Sequence, residues 1–194
     1  MIYMFYTAKN ETTEMAMTTI DPNTWAFKGE GVTESRRVLG DLKGVFADEA
    51  ARAAMDQGQT VYEVQMHAAV PEGTPGGLFL GVSCLRPGDV AGEYFMTKGH
   101  FHARRETAEY YWGVAGEGAL ILMDENGECR WERVFPGSVH YIPGNVAHRL
   151  ANTGTETLRV GACWPSDAGH DYATIAASGF TKRLFKGANG PELR

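Results

Sequence analysis

From residue 60 onward the apolar positions come in short runs cut by glycine and proline. In residues 60–70 (TVYEVQMHAAV), Tyr62, Val64 and Met66 alternate with other positions, the period of a strand with one buried face. The segments LFLGVSCLRPG, EYFMT, EYYWGVAG, GALILMD, CRWERVF, SVHYI, HRLAN and TLRVGACWP continue that texture. Turns separate them at Asn126-Gly127, Pro136-Gly137, Pro143-Gly144-Asn145 and Thr153-Gly154. Asn126-Gly127 supplies two residues tolerant of positive φ, so a hairpin is predicted there. No helices alternate with these strands. The pattern predicts an all-β sandwich or barrel, of which a jelly roll is one closure.

Elsewhere the pattern changes. Residues 48–57 (DEAARAAMDQ) predict a helix, capped by Asp48, favoured by alanines and ended by Gly58. Residues 172–178 predict a helical turn. Residues 1–35 lack strong periodicity and read as an arm with one or two short strands, such as residues 2–6. From Gly187 the tail is polar and expected to be loose. The expected division is an arm over 1–35, one domain over 36–186 and a tail over 187–194.

With 194 residues the chain can bury a sizeable core. Its formal net charge of −6 and the lack of a basic stripe argue against nucleic acid and membrane surfaces as partners. An anionic ligand would need a local source of attraction. Cys84, Cys129 and Cys163 are sparse and widely spaced, which predicts reduced core thiols rather than a disulfide framework or a CxxC site. The apolar start covers six residues and no basic segment precedes it, too little for a signal peptide or a span. A cytoplasmic protein is expected.

One group of residues carries chemistry. His100 and His102 are two apart, so on a strand both imidazoles reach one point. Glu109 lies seven residues further on, and His148 another 39, after the Pro-Gly-Asn turn. Three imidazoles and a carboxylate suit a divalent transition metal. A lone H-x-H pair is more often a half-exposed strand, but the flanking glycines and prolines need explaining too.

Those flanks resemble the two cupin motifs. The first reads G-x5-H-x-H-x3/4-E-x6-G, and His100, His102, Glu109 and Gly116 match it, with six residues before Glu109 and no upstream glycine. The second reads G-x5-P-x-G-x2-H-x3-N. Gly137, Pro143, His148 and Asn152 match, and Asn145, tolerant of left-handed geometry, replaces the inner glycine. GHFHARRETAEYYWGVAGEG and WPSDAGHDYATIA, with RRVLGDLKGVFADE and VYEV, resemble the cupin-type glucose-6-phosphate isomerases over about residues 36–185.

The resemblance implies a cupin double-stranded β-helix with short flanking helices. It implies one divalent metal per subunit (iron, manganese, nickel or zinc) on His100, His102, Glu109 and His148. The implied activity interconverts glucose 6-phosphate and fructose 6-phosphate through an enediolate, in glycolysis and gluconeogenesis. Glu109 resembles the base, with Tyr111, His170 and Tyr172 beside the sugar. Tyr62, Ser83, Thr97, Gly99 and Trp164 are the implied phosphate pocket, Ser83 replacing a common threonine and Trp164 a common tyrosine. Lys98 is expected to be a solvated charge. Tyr110 and Trp112 are expected in the core or at an interface, and His67 and His140 are expected to be structural. A homodimer is implied. Phosphomannose isomerase activity, a non-catalytic sugar-phosphate-binding cupin and a metal-dependent dioxygenase are the alternatives.

Overall fold

A computed structural model describes residues 17–194. Its frame is nine strands: β1 (Val32–Val38), β2 (Thr60–Ala68), β3 (Leu78–Leu85), β4 (Glu109–Ala115), β5 (Gly118–Met123), β6 (Cys129–Val134), β7 (Val139–Ile142), β8 (Ala147–Asn152) and β9 (Leu158–Pro165). Six of them form one antiparallel sheet in the order β7-β4-β9-β3-β2-β1. The other three form a second sheet, β6-β5-β8. The inner faces of the two sheets share one core, in which Leu85, Leu158 and Val160 of the large sheet join Leu120, Leu122 and Leu150 of the small one. This is the cupin jelly roll. Long-range antiparallel pairing, rather than local crossover helices, holds it together.

Register decides which residues reach the interior. Side chains alternate across a strand, so one fixed pairing assigns a whole face. Arg37 pairs Tyr62, Val64 pairs Ser83, Gly81 pairs Ala162, and Ala162 pairs Tyr111. The inward set is therefore Ser35 and Arg37 on β1, Tyr62, Val64 and Met66 on β2, Gly81 and Ser83 on β3, Ala162 and Trp164 on β9, and Glu109 and Tyr111 on β4. The alternation of Tyr62, Val64 and Met66 was legible in the sequence. Their facing into a cavity was not.

Several expectations change in detail. The helix α1 covers Glu49–Ala54, with Asp48 accepting from the Ala51 N–H (2.8 Å) as expected. It ends well before Gly58, because the Gln57 side chain donates to the carbonyls of Arg52 and Met55 and closes the helix there. The second helix, α2 (Tyr172–Ser178), is longer than a single turn and is capped by Asp171. The tail is not loose: Leu184–Gly187 and Gly190–Leu193 pair as a hairpin, and Arg183 and Arg194 extend its ladder. The border at 35/36 falls inside β1. A two-residue pair, Thr19–Ile20 with Phe27–Lys28, precedes that strand. The strand expected over residues 2–6 lies outside the described residues. At the Asn126-Gly127 turn only Gly127 takes positive φ, and Asp124 Oδ1 accepts from the N–H groups of Asn126 and Glu128. That makes a longer loop with one left-handed glycine rather than a two-residue turn. The three cysteines are free, but each is half-buried rather than core. Among the described residues no helix is long and apolar enough to cross a membrane.

Candidate metal centre and cavity

His100 and His102 do not sit on a regular strand. The stretch between Tyr94 and Glu109 is held by single bridges: Met96 to Ala151, His100 to His148 and Phe101 to Asp171. The bridge from His100 to His148 puts one ligand candidate against another, with ring centroids 4.5 Å apart. The His102 ring lies 5.7 Å from that of His100 and 5.3 Å from that of His148. Glu109 enters from the first residue of β4. One ligand atom from each of the four residues lies within 4.8 Å of the others.

The chemistry of these atoms fits a cation. Nε2 of all three histidines and Oε1 of Glu109 are buried without hydrogen-bond partners. Glu109 Oε1 is 2.5 Å from His148 Nε2 and 3.4 Å from His102 Nε2, yet neither contact has hydrogen-bond geometry. The atoms aim at a shared point instead of at each other. Buried polar atoms left unpaired are costly, and a metal satisfies all four at once.

The second ring nitrogens explain the aim. His102 Nδ1 lies 2.9 Å from both the carbonyl and the hydroxyl of Thr107. The Thr107 hydroxyl donates its proton to the Arg104 carbonyl (2.7 Å), so toward His102 it is an acceptor. Both partners accept, so Nδ1 carries the hydrogen and Nε2 keeps its lone pair for the cluster. His148 Nδ1 faces the Val146 carbonyl at 3.3 Å and is oriented the same way. The six-residue loop before Glu109, longer than the motif's usual spacing, is what delivers Thr107.

Charge is arranged accordingly. Burial alone would raise the Glu109 carboxyl. The imidazoles of His148 and His102 beside it outweigh burial and hold the group down at about 2. Burial, followed by the neighbouring imidazoles, keeps His100 well below the usual histidine range. Burial likewise lowers His170. Burial and then the Glu109 charge push the Tyr111 phenol well up, so it stays a donor.

Above the cluster lies a cavity of about 310 Å³. Its walls are the inward residues of the large sheet, with His148 and Leu150 from β8 and the stretch 97–100 opposite. His170 and Tyr172 cover one side. Their rings stack at 5.6 Å with a 6° tilt, and His170 sits 4.5 Å from the His100 ring. Their position is set by Asp171, which exchanges backbone hydrogen bonds with Phe101 and takes Arg105 Nη2 at 2.6 Å.

The family model for glucose-6-phosphate isomerase (GPI) matches residues 36–190. The chain belongs to the glucose-6-phosphate isomerase family. The enzyme called glucose-6-phosphate isomerase in Pyrococcus horikoshii is 42% identical over 153 residues, covering 79% of this chain and 81% of the relative. Its counterpart in Thermococcus kodakarensis is 43% identical, covering 78% and 80%. A protein called putative glucose-6-phosphate isomerase 1 in Rhizobium meliloti is 38% identical, covering 77% and 71%. Among solved structures, oxalate decarboxylase from Bacillus subtilis aligns with 57% of this chain and 26% of its own, at TM-score 0.43 and 18% identity.

In this member of the glucose-6-phosphate isomerase family, all of the site residues expected from the sequence except His102 line the cavity: Tyr62, Ser83, Thr97, Gly99, His100, Glu109, Tyr111, His148, Trp164, His170 and Tyr172. His102 lies beneath it, in the cluster. Thr97 Oγ1 accepts from the Leu150 N–H (3.1 Å), which leaves its own proton to donate. The Tyr62 hydroxyl lies against the Lys98 N–H, and burial pushes its pKa up to about 12. Gly99 needs its glycine: φ is +77°, and a Cβ would meet Phe180 at 2.7 Å. Trp164 is buried against Phe79 and over Gly81, so it acts as wall. Asn145 takes φ +63°, the left-handed geometry expected of it. His140 is buried and structural, held by Glu132 (2.7 Å) and Ser138 (3.0 Å).

Three residues escaped the sequence reading. Lys98 lines the cavity instead of facing away. Thr97, Lys98, Gly99 and His100 all line it in succession, because the irregular backbone there does not alternate as a strand would. Arg37 also lines the cavity. Thr107 carried no signal beyond the extra length of its loop. Thr107→Val removes the hydroxyl acceptor and keeps the carbonyl, so metal affinity is expected to fall about 10-fold. Competition of the metal-free protein against a chelating dye measures it, and unchanged affinity would show that the carbonyl alone orients His102.

Proposed function

We propose that this chain interconverts glucose 6-phosphate and fructose 6-phosphate, using one divalent metal ion held by His100, His102, Glu109 and His148. One observation carries the reading. Four partnerless donor atoms converge at one end of a hydroxyl-lined cavity, in a chain of the glucose-6-phosphate isomerase family. The mixed nitrogen and oxygen set fits iron(II), manganese, nickel or zinc. When bound, the metal supplies a Lewis acid beside O1 and O2 of the open-chain sugar.

The protein's own groups divide the rest. Glu109 is ionised at neutral pH, and Oε1 is the oxygen that faces His102 and His148 in the cluster. Oε2 is then the atom that moves the proton between C2 and C1. His170, kept neutral by burial, and Tyr172 stand over His100, where they suit ring opening and hydroxyl placement. Tyr111, a protonated phenol against the His148 ring, donates to a sugar oxygen. Hydroxyls of Tyr62, Ser83 and Thr97 and the N–H of Gly99 suit phosphate oxygens. The test is a coupled assay of purified protein: fructose 6-phosphate is supplied and glucose 6-phosphate is detected. No product above a blank would overturn the reading.

The protein is also proposed to act as a cytoplasmic homodimer. Tyr110, Val139 and Tyr141 are 52%, 69% and 55% exposed at the outer β4–β7 edge. They make an apolar patch that a second copy would cover. Sedimentation at micromolar concentration should give a dimer, and a monomer would refute the pairing.

A further inference from the structure

We propose that Arg37 is a specificity residue for the phosphate end of the substrate, meeting the dianion with a guanidinium that the hydroxyl-lined wall lacks. The inference rests on the isomerase reading and adds to it a charged partner outside the expected phosphate pocket.

Geometry comes first. Arg37 is on β1, the edge strand, directly opposite Tyr62, and it shares that residue's inward face. Three strands separate β1 from β4, which carries Glu109. Arg37 and the metal cluster therefore flank the cavity from different ends of the large sheet. A sugar phosphate is built to match, with its reacting carbons at one end and its charge at the other. The neighbouring inward residues, Ser35, Tyr62, Val64 and Ser83, include no carboxylate to pair with it.

Pairing comes second. Arg52, Arg86, Arg104, Arg105, Arg133 and Arg183 each meet a carboxylate within 3.1 Å. Among the described residues Arg37 has no ion pair. Its one hydrogen bond runs from Nη1 to the adjacent Arg36 carbonyl (2.9 Å), so Nε and Nη2 keep their protons available. A planar fork with free donors is the group that grips a phosphate by two oxygens. The two lining carboxylates are occupied elsewhere: Glu109 belongs to the cluster, and Glu34 takes the Gln65 amide.

Field comes third. Arg37 stands close enough to the Tyr62 hydroxyl to oppose the rise that burial imposes on it. The guanidinium thus stands on the side of the cavity where the Tyr62 phenol ends. With a net charge of −6, the protein repels a dianion at long range, and a cation in the cavity lining reverses this locally. Lys98 is the other lysine or arginine of the lining, a point charge without the fork.

The test compares wild type, Arg37→Met and Arg37→Lys. In Arg37→Met the KM for fructose 6-phosphate is expected to rise about 10- to 100-fold, with kcat within about threefold. Arg37→Lys should recover part of that loss. The inhibition constant of inorganic phosphate should rise in parallel, and titration calorimetry with inorganic phosphate reads the same loss without turnover. Unchanged melting temperatures will show that both variants fold. If wild type turns over and Arg37→Met keeps its KM and its phosphate affinity, Arg37 is not a phosphate residue. If wild type does not turn over fructose 6-phosphate, the isomerase reading fails by itself. Calorimetry then still decides the assignment: phosphate binding lost in Arg37→Met supports it, and binding retained overturns it.

Discussion

Glu109→Gln is expected to lower the turnover number about 10²- to 10⁴-fold while the protein keeps much of its metal. The two jobs of this side chain separate in that variant. As ligand, Glu109 offers Oε1, one of four converging donors. Glutamine keeps an oxygen there, and the three imidazoles stay oriented by Thr107, Val146 and the His100–His148 bridge. As base, the carboxylate must accept a proton, which an amide does not do at neutral pH. KM should change little where binding is near equilibrium, because the phosphate contacts lie elsewhere. Exchange of solvent hydrogen into C2 should disappear together with turnover. Metal content by elemental analysis and single-turnover kinetics check the two halves. Near-normal turnover with metal bound would show that Glu109 is only a ligand. A hydride shift or another base, with His170 the nearest candidate, would then carry the reaction.

Removing the metal is expected to abolish isomerase activity and lower the melting temperature, and adding back one divalent ion is expected to restore both. Without a cation, three imidazole lone pairs and a carboxylate oxygen face one another in a buried space. That arrangement is costly in the folded state and absent from the unfolded one. A ligand that binds only the folded form stabilises it by RT ln(1 + [L]/Kd), about 4 kcal/mol at a thousandfold excess over Kd. Chelator treatment followed by calorimetry and the coupled assay measures both effects. Full activity in metal-free protein would remove the metal from the reaction. An unchanged melting temperature would place the ion outside this cluster.

What was legible in the sequence was what short-range covalent periodicity controls. Glycine and proline spacing marks where strands end, and Asn145, standing where the motif has glycine, takes the left-handed φ of +63° that its side chain tolerates. His100, His102, Glu109 and His148 stood out because few other arrangements require those residues at those intervals. Even there, the reason differed from the one the spacing suggests. The two histidines converge through a bridge to His148 rather than through regular strand alternation.

Tertiary structure alone decided the rest, and pairing between distant segments is the common cause. Nothing near Arg37 in the chain says that it faces inward. The β1–β2 register does, by setting it opposite Tyr62. Trp164 became wall because it meets Phe79 and Gly81 across a strand pair. The tail became a hairpin because Arg183 and Arg194 close its ladder and Phe185 pairs with Glu93. Thr107 could be assigned to His102 only once the loop's path was known. A one-residue slip in any of these pairings would send each side chain to the opposite face. The sequence by itself determined which residues were available for chemistry; the register of long-range strand pairing decided which of them share one cavity.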